Sequence, residues 1–582
     1  MTAETISQSF LEHSEKIAKK FLQTTVIVDD LAYFSESYVN IETASDLTPP
    51  GRAGVKQNVV DPTPSQITQK GEDSLLKDSH RLNAQAVINS FAKAGIVCSV
   101  FRPTPDLDLP DMMEKLVPST DVMILDWDLH GDYGDKALKI LKRITHSAYK
   151  VEPKQLRLFV IYTGELDLDK IYDTIKHTLE EHLGIQFAPR SEVEDSFKRF
   201  VLSLSPIRIV IFGKGSTRIR EEIAANRPLV GFEGLADKVI AEFTQMTAGL
   251  VSNVAVEAFA LLRQHTFKVL GRFSNELDAH YLTHRLLQPT PSDVEDHLVS
   301  LISEEFYAIL EEARAGEKAG IDAIRDWLDW QQIDTFNVAP GSNEPKKKKL
   351  QYDRKKLNQL FSEGISMIAK DFEQEDGFPG KSVYKTSTRQ FVSKGQSAEG
   401  LDEKLAILTS MRSFYKNSSR VLTLGTILRK TNSDPQNSSY EYLVCLQPLC
   451  DTVRLGEKEQ RSFPFIPLEV PNSKKDRGKF SIVIPNPDQE DNSEEKFLRL
   501  IHRSKPFHLI TIKFSQNGES DRILSDLPTE NGSYLFTDSL KNQYEWIGEF
   551  RSEHAMRVAH EFATNLSRIG VNESEWLRLS GG

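Results

Sequence analysis

Four short apolar runs in this chain each end on a charged or hydroxyl-bearing residue, a recurrence that narrows the fold more than any other feature. Val26-Ile27-Val28 leads into Asp29-Asp30, Val122-Met123-Ile124-Leu125 into Asp126, Leu158 to Tyr162 into Thr163-Gly164, and Ile207 to Phe212 into Gly213-Lys214. Runs this short and this apolar read as strands buried on both faces, and helical patterns near 80–94, 134–145 and 166–183 separate them. Strand alternating with helix implies an α/β fold, a parallel sheet with helices on both faces. Open sheets of that kind bind ligands outside the carboxyl ends of their strands. An acid pair, an acid, a hydroxyl and an amine therefore gather along one edge.

Bulk composition excludes several classes. At 582 residues the chain exceeds one hydrophobic core and implies roughly three or four domains. Its 39% hydrophobic and 27% charged residues are ordinary for a soluble globular protein. A net charge of −12 argues against a broad nucleic-acid footprint, which needs a basic face. Cys98, Cys445 and Cys450 are too few for a disulfide framework and suit a reducing compartment. No apolar run approaches the roughly 20 residues that span a bilayer. The N-terminus, with Glu4, Glu12 and Glu15 among polar residues, lacks the basic and apolar regions of a signal peptide. The expectation is a cytoplasmic protein with neither membrane nor nucleic acid as partner.

Residues 1–22 carry Ile6, Phe10, Ile17 and Phe21 at helical spacing. Residues 31–78, punctuated by Pro49-Pro50-Gly51, Pro62 and Pro64, read as a long insertion after the first strand. The α/β domain is expected over 1–226, although residues 186–205 interrupt its alternation. A helical domain follows at 227–334, with Ala236, Val239, Ile240, Phe243 and Met246 on one apolar face and Leu298, Leu301, Ile302, Phe306 and Ile309 on another. A linker is expected at 335–350, where Gly341-Ser342-Asn343 precedes Pro345 and Lys346 to Lys349. A helical connector is expected at 351–418, from patterns at 354–370 and 399–415. Residues 419–582 carry strand-like runs at 421–424, 442–446, 480–484 and 509–512. They read as a small, mainly antiparallel β domain closed by a helix at 551–568.

The acidic edge suits phosphoryl chemistry. A carboxylate that accepts a phosphoryl group is a covalent nucleophile, and its transition state spreads negative charge over the moving oxygens. A hard Mg²⁺ ion matches that charge and takes few carboxylates, a carbonyl and the substrate's own oxygens. Asp126 is the candidate phosphoacceptor and a metal ligand; Asp29 or Asp30 would supply another carboxylate and the backbone carbonyl of Asp128 a third oxygen. Lys214 would pair with a phosphoryl oxygen as a point charge, and Thr163 would donate its hydroxyl to another. The Asp128 side chain would either position water or face solvent. Taken singly, each residue has a plainer reading: Asp29 or Asp126 as a helix cap, Thr163 in a turn, Lys214 in solvent. Their order, each at a strand's carboxyl end, favours the site. Asp126-Trp127-Asp128 also matches the Asp-x-Asp of dehalogenase-type enzymes, where the motif sits on the first strand and no acidic pair lies on an earlier one.

Residues 24 to about 226 resemble the response-regulator receiver family, most closely over Asp126 to Leu138, where Asp, a Leu three places on and paired glycines precede a helix. The resemblance implies a flavodoxin-like doubly wound parallel sheet and a sensor histidine kinase as phosphoryl donor. It also implies Asp126 as phosphoacceptor, Asp29 and Asp30 as the acidic pair, Thr163 as switch hydroxyl and Lys214 as phosphate-binding lysine. Three departures stand out: the insertion at 31–78, Gly215 where the family usually has Pro, and the extra residues before the last strand. More narrowly, Asp126 to Asp132, Val160 to Glu165 and Gly95 to Cys98 resemble a divergent receiver group of bacterial anti-phage two-component systems of the Detocs kind. Such systems pair a histidine kinase with a receiver-bearing effector, and a separate receiver protein buffers phosphate. That resemblance implies a buffer that loads Asp126 and discharges it by hydrolysis; no separate catalytic domain is recognised, and a cryptic enzyme in residues 350–582 would lack a nucleophile or complete metal set in the sequence. The alternative is a phosphorylation-switched platform or effector acting through the helical and β domains, with a receiver-bearing effector or a second copy as partner.

Elsewhere the chemistry thins. His280 and His284, four apart with Asp278 nearby, have the spacing of a metal pair, yet Tyr281, Leu282 and Leu286 favour ordinary helix packing. Cys445 and Cys450 lack a second pair to complete a zinc site and read as buried or half-buried thiols. Lys346 to Lys349 read as a solvated linker.

Overall fold

The computed structural model describes residues 3–34, 81–151, 154–190, 195–215, 227–288, 290–291, 293–338, 350–366, 391, 400–430, 441–456, 459–471, 481–488, 496–516, 520–529 and 532–567. The chain forms two compact units, Met1–Gln390 and Phe391–Gly582. The division falls inside the segment expected as a connector at 351–418. No helix among the described residues is long and apolar enough to cross a membrane.

The first unit opens with α1 (Ala3–Phe21) and β1 (Thr24–Val28). Most of the insertion expected at 31–78 lies outside the described residues, but its feet are tied together. Tyr33 N donates to Leu82 O at 2.9 Å and Ala84 N to Tyr33 O at 2.8 Å. There follow α2 (Ala84–Lys93), β2 (Val97–Phe101), α3 (Leu109–Leu116), β3 (Val122–Leu125), α4 (Asp135–Tyr149), β4 (Arg157–Thr163) and α5 (Leu168–Leu183). A single turn, α6 (Ser196–Arg199), then leads to β5 (Val201–Leu204), β6 (Ile207–Gly215), β7 (Leu229–Gly231) and α7 (Leu235–Thr247). The strands form one sheet in the order β2-β1-β3-β4-β6-β5, with β7 beside β6. It is mixed but dominated by parallel pairs; β5 alone in that sheet runs antiparallel, against β6. Within the interruption at 186–205, the described residues 195–204 supply α6 and β5, and β5 forms a hairpin with β6 at the sheet's edge.

Side chains alternate between faces along each strand. Val26, Val28, Met123, Leu125, Phe159 and Ile161 pack with Met113 of α3, Ile140 and Leu141 of α4 and Ile171 and Ile175 of α5. Ile27, Val122, Ile124, Val160, Val210 and Phe212 pack on the other face with Ile17 of α1, Phe91 of α2 and Val239 and Phe243 of α7. Two cores flank one sheet, which is why its strands are continuous apolar runs.

Helices α8 (Leu250–Arg272), α9 (Asp278–Leu287), α10 (Asp293–Glu312) and α11 (Ile321–Trp330) follow. Phe10 of α1 stacks on Trp330 of α11 with ring centroids 5.1 Å apart. The apolar face expected on α7 is buried except for the half-buried Met246, whereas Leu301, Ile302 and Phe306 of α10 stay exposed. The stretch read as a linker, 335–350, is bounded by two paired strands, β8 (Phe336–Val338) and β9 (Leu350–Tyr352). Its Lys346 to Lys349 lie outside the described residues. Helix α12 (Arg354–Glu363) is the last described element of this unit.

The second unit holds α13 (Leu401–Ser410), β10 (Thr426–Lys430), β11 (Glu441–Cys445), β12 (Gln460–Glu469), β13 (Ile482–Pro485), β14 (Phe497–His502), β15 (Ile510–Ser515), β16 (Leu535–Thr537), β17 (Gln543–Glu549) and α14 (Ser552–Leu566). Its strands pair antiparallel in the order β13-β14-β12-β11-β10-β17-β16, with β15 on β12. Val558 and Phe562 of α14 close a core with Ile427, Val444 and Ile466, and the opposite faces of the same strands close a second core around Leu443, Phe463 and Phe514. Two expectations fail locally. The run 421–424 stays outside the ladder apart from a single bridge, Val421 to Leu524. The chain turns first at Gly425, φ +86°, where a Cβ would sit 2.8 Å from that of Ala555. The helix expected over 399–415 stops at Ser410, because Met411 bridges to Phe550 and Arg412 N donates to Glu549 O at 2.8 Å.

Candidate functional site

Sheet order sets β1, β3, β4 and β6 side by side. Asp29 and Asp30 follow β1 directly, Asp126 follows β3, Thr163 closes β4, and Lys214 lies near the end of β6. All five are buried, none more than 6% exposed.

Lys214 joins the acids across the sheet. Its Nζ donates to Asp29 Oδ2 and to Asp126 Oδ2, at 2.7 Å each. The second oxygens are held by the backbone: Asp126 Oδ1 accepts from Trp127 N at 2.8 Å and Asp29 Oδ1 from Leu31 N at 2.9 Å. Asp30 Oδ2 accepts from His130 N at 3.1 Å and lies 3.3 Å from His130 Nδ1. Asp30 Oδ1 is buried without a hydrogen-bond partner. Burial raises the Asp126 carboxyl well above the usual carboxylate range, with Lys214 opposing the rise and Asp29 reinforcing it. Burial by itself would lower the Lys214 ammonium, but Asp126 and Asp29 outweigh it and hold it above the usual lysine range.

Three buried carboxylates therefore face one ammonium. Ligand oxygens of Asp29, Asp30 and Asp126 lie within 4.8 Å of one another. Excess buried negative charge and an orphaned carboxylate oxygen are what a hard divalent cation with oxygen ligands relieves. Mg²⁺ fits this donor set.

Thr163 stands on the strand between those of Asp126 and Lys214, in register with Gly213. Its Oγ1 accepts from Glu165 N at 3.1 Å, so its O–H is free to point elsewhere. The Asp128 carboxylate turns toward its own loop and accepts from Tyr133 N at 2.9 Å.

Three neighbours of Asp126 escaped the sequence reading. His130, in the left-handed region at φ +64°, presents its N–H to Asp30, and the Nε2 of its ring lies 3.1 Å from Pro103 O. Asp132 accepts from Leu129 N, Gly134 N and Lys136 N, bracing the turn into α4. Trp127 lies under Gly134, where a Cβ would sit 2.3 Å from the indole. Gly131 and Gly134, both at positive φ, mark a tight turn in the sequence. Nothing local announces that His130 meets an acid a hundred residues away.

Gly215, which departs from the expected Pro, has a physical reason. It pairs with Gly231 of β7, and a Cβ there would lie 3.0 Å from the Val230 carbonyl carbon. The close approach of β7 requires glycine. His280 and His284 sit on α9, both exposed, with His284 Nε2 2.7 Å from Gln288 Nε2. Among the described residues the metal-ligating cluster is Asp29, Asp30 and Asp126, and neither histidine joins it. Cys445 is buried and Cys450 exposed.

Among curated proteins and among solved structures, no match to this chain is found. Residues 21–218, which contain the whole edge from Asp29 to Lys214, match the family model of the response receiver domain. The first part of the chain carries a divergent response receiver domain.

Proposed function

We propose that this chain is a response regulator that accepts a phosphoryl group on Asp126 from a phosphohistidine of a partner kinase and releases it by hydrolysis. The observation that supports it best is the buried Lys214 ammonium, held at 2.7 Å by Asp126 and Asp29 together. A carboxylate oxygen of Asp126 attacks phosphorus as the P–N bond to the donor imidazole breaks, and the electron pair leaves with the imidazole nitrogen. Lys214 then passes from the Asp126 carboxylate to a phosphoryl oxygen. Thr163 turns its hydroxyl to another. Asp29, Asp30, Asp126 and the Asp128 carbonyl would hold Mg²⁺, which when bound neutralises charge on the phosphoryl oxygens. In discharge, water attacks phosphorus, the P–O bond to Asp126 breaks, and the carboxylate returns to Lys214.

The likeness of Asp126 to Asp132, Val160 to Glu165 and Gly95 to Cys98 to anti-phage receivers supports a buffering role in such a defence system. A second reading, a phosphorylation-switched platform, is favoured by one contact. β7 pairs with Lys214's own strand, Tyr162 Oη donates to Val230 O at 2.7 Å, and β7 leads into α7.

The test is intact-mass measurement of the full chain incubated with acetyl phosphate and MgCl₂. A gain of one HPO₃ is expected, decaying once the donor is removed. Asp126→Asn is expected to gain nothing, and an equal gain in that variant overturns the assignment.

A further inference from the structure

Among the described residues, the helices after the receiver domain leave an apolar face uncovered. The first half of α8 is anchored: Asn253 Nδ2 donates to Ser14 Oγ at 3.0 Å, and Arg263 donates to both oxygens of Asp121 at 2.8 and 3.1 Å. Beyond that point α8 buries only Val269. Helix α9 buries none of its residues and α10 only Val294. Yet the three helices are held against one another, by Arg272 to Glu305 at 2.6 Å and Arg285 to Glu295 at 2.7 Å.

Phe259, Phe267 and Leu270 of α8, Leu286 of α9, and Val299 and Phe306 of α10 are all exposed, Phe267 at 86% and Leu286 at 82%. Single apolar side chains scattered over a surface are ordinary, but several large ones on helices held together mark an interaction site, the largest patch of a typical monomer being roughly 300–600 Å². A standard interface needs roughly 800 Å² from each partner. Helices with so little buried surface do not hold in water on propensity alone.

Charge selects the occupant. α10 carries Asp293, Glu295, Asp296, Glu304, Glu305, Glu311 and Glu312 and no lysine or arginine, whereas the outer half of α8 presents an exposed Lys268, its Arg272 being engaged with Glu305 of the same copy. A two-fold axis that lays α8 of one copy along α10 of the next matches apolar to apolar and basic to acidic twice over. We propose that this face is a homodimer interface, the second copy of this chain being its occupant. Asp121, which anchors α8, precedes β3, at the opposite end of the sheet from Asp126. Dimerisation therefore leaves the acidic edge open and does not rest on the phosphoryl reading.

Sedimentation velocity of the full chain at micromolar concentration is expected to show a dimer. Phe267→Glu with Phe306→Glu should weaken it at least about a hundredfold, with far-UV circular dichroism unchanged. Lys268→Glu, and separately Glu304→Lys with Glu311→Lys, should each weaken self-association. An equimolar mixture of those two variants should restore dimers. A monomeric wild type overturns the proposal, as does a monomer in which hydrogen exchange finds α9 and α10 shielded by residues 391–582. A dimer indifferent to Phe267→Glu and Phe306→Glu, or a mixture that fails to reassociate, overturns it equally.

Discussion

A methyl group at position 134 would meet the Trp127 indole at 2.3 Å, on a backbone whose φ is +95°. Gly134→Ala therefore combines clash with strain, a loss of about 2–4 kcal/mol. It is read as a lower urea midpoint at unchanged slope. Because Trp127 N also holds Asp126 Oδ1, the same variant should label more slowly. Asp126 itself works in the other direction. Burial lifts its carboxyl to about 7, Lys214 opposing, from about 3.9 in an unfolded chain. Folding thus disfavours its charge, and the penalty is complete above the folded value. Without divalent metal, Asp126→Asn should gain up to a few kcal/mol of stability above about pH 8. That gain should shrink as pH falls from about 7 toward about 4, where the wild-type acid is protonated in both states. Paired urea melts across that range measure it; a gain that grows on acidification refutes the assignment.

Among the elements, β7 ties the site to the helices beyond it. Lys214 pairs with Val230 and Gly215 with Gly231, so the strand bearing the ammonium is braced by residues 16 positions further on (230 less 214). Gly215→Val should cost about 1–3 kcal/mol by forcing the strands apart and should reduce phosphoryl labelling through Lys214. Gly231→Ala is the control. Its Cβ would meet only Gly215 O, at 4.0 Å, so stability and labelling should stay near wild type. The central strands were readable because burial on both faces makes them unbroken apolar runs. β5 and β7 were not: they are short edge strands, specified by pairing with β6 and carrying no period of their own. In the second unit, β12, β14, β16 and β17 escaped notice for a related reason, since half-exposed positions and polar interruptions such as Arg499 and Glu545 break the pattern.

At the level of the whole molecule, two units with separate cores should unfold in two calorimetric transitions. Mg²⁺ should raise the one belonging to residues 1–390 and leave the other in place. At a hundredfold excess over its dissociation constant the added stability is about 2.7 kcal/mol. Asp29→Asn with Asp30→Asn should abolish the shift, since those residues supply two of the clustered oxygens. A shift that persists in that variant places the ion elsewhere.

From sequence alone came the series of strand ends: an acid pair, an acid, a hydroxyl and an amine, each displayed where a buried run stops. Such a run is local, so the residue that breaks it is conspicuous in one dimension. What the tertiary structure alone decided are the meetings across strands. Lys214 bridges Asp29 and Asp126, His130 turns to Asp30, β7 closes on Gly215, and α9 and α10 are left bare. Those depend on distances between residues remote in the chain, and periodicity records only which face a residue shares with its near neighbours.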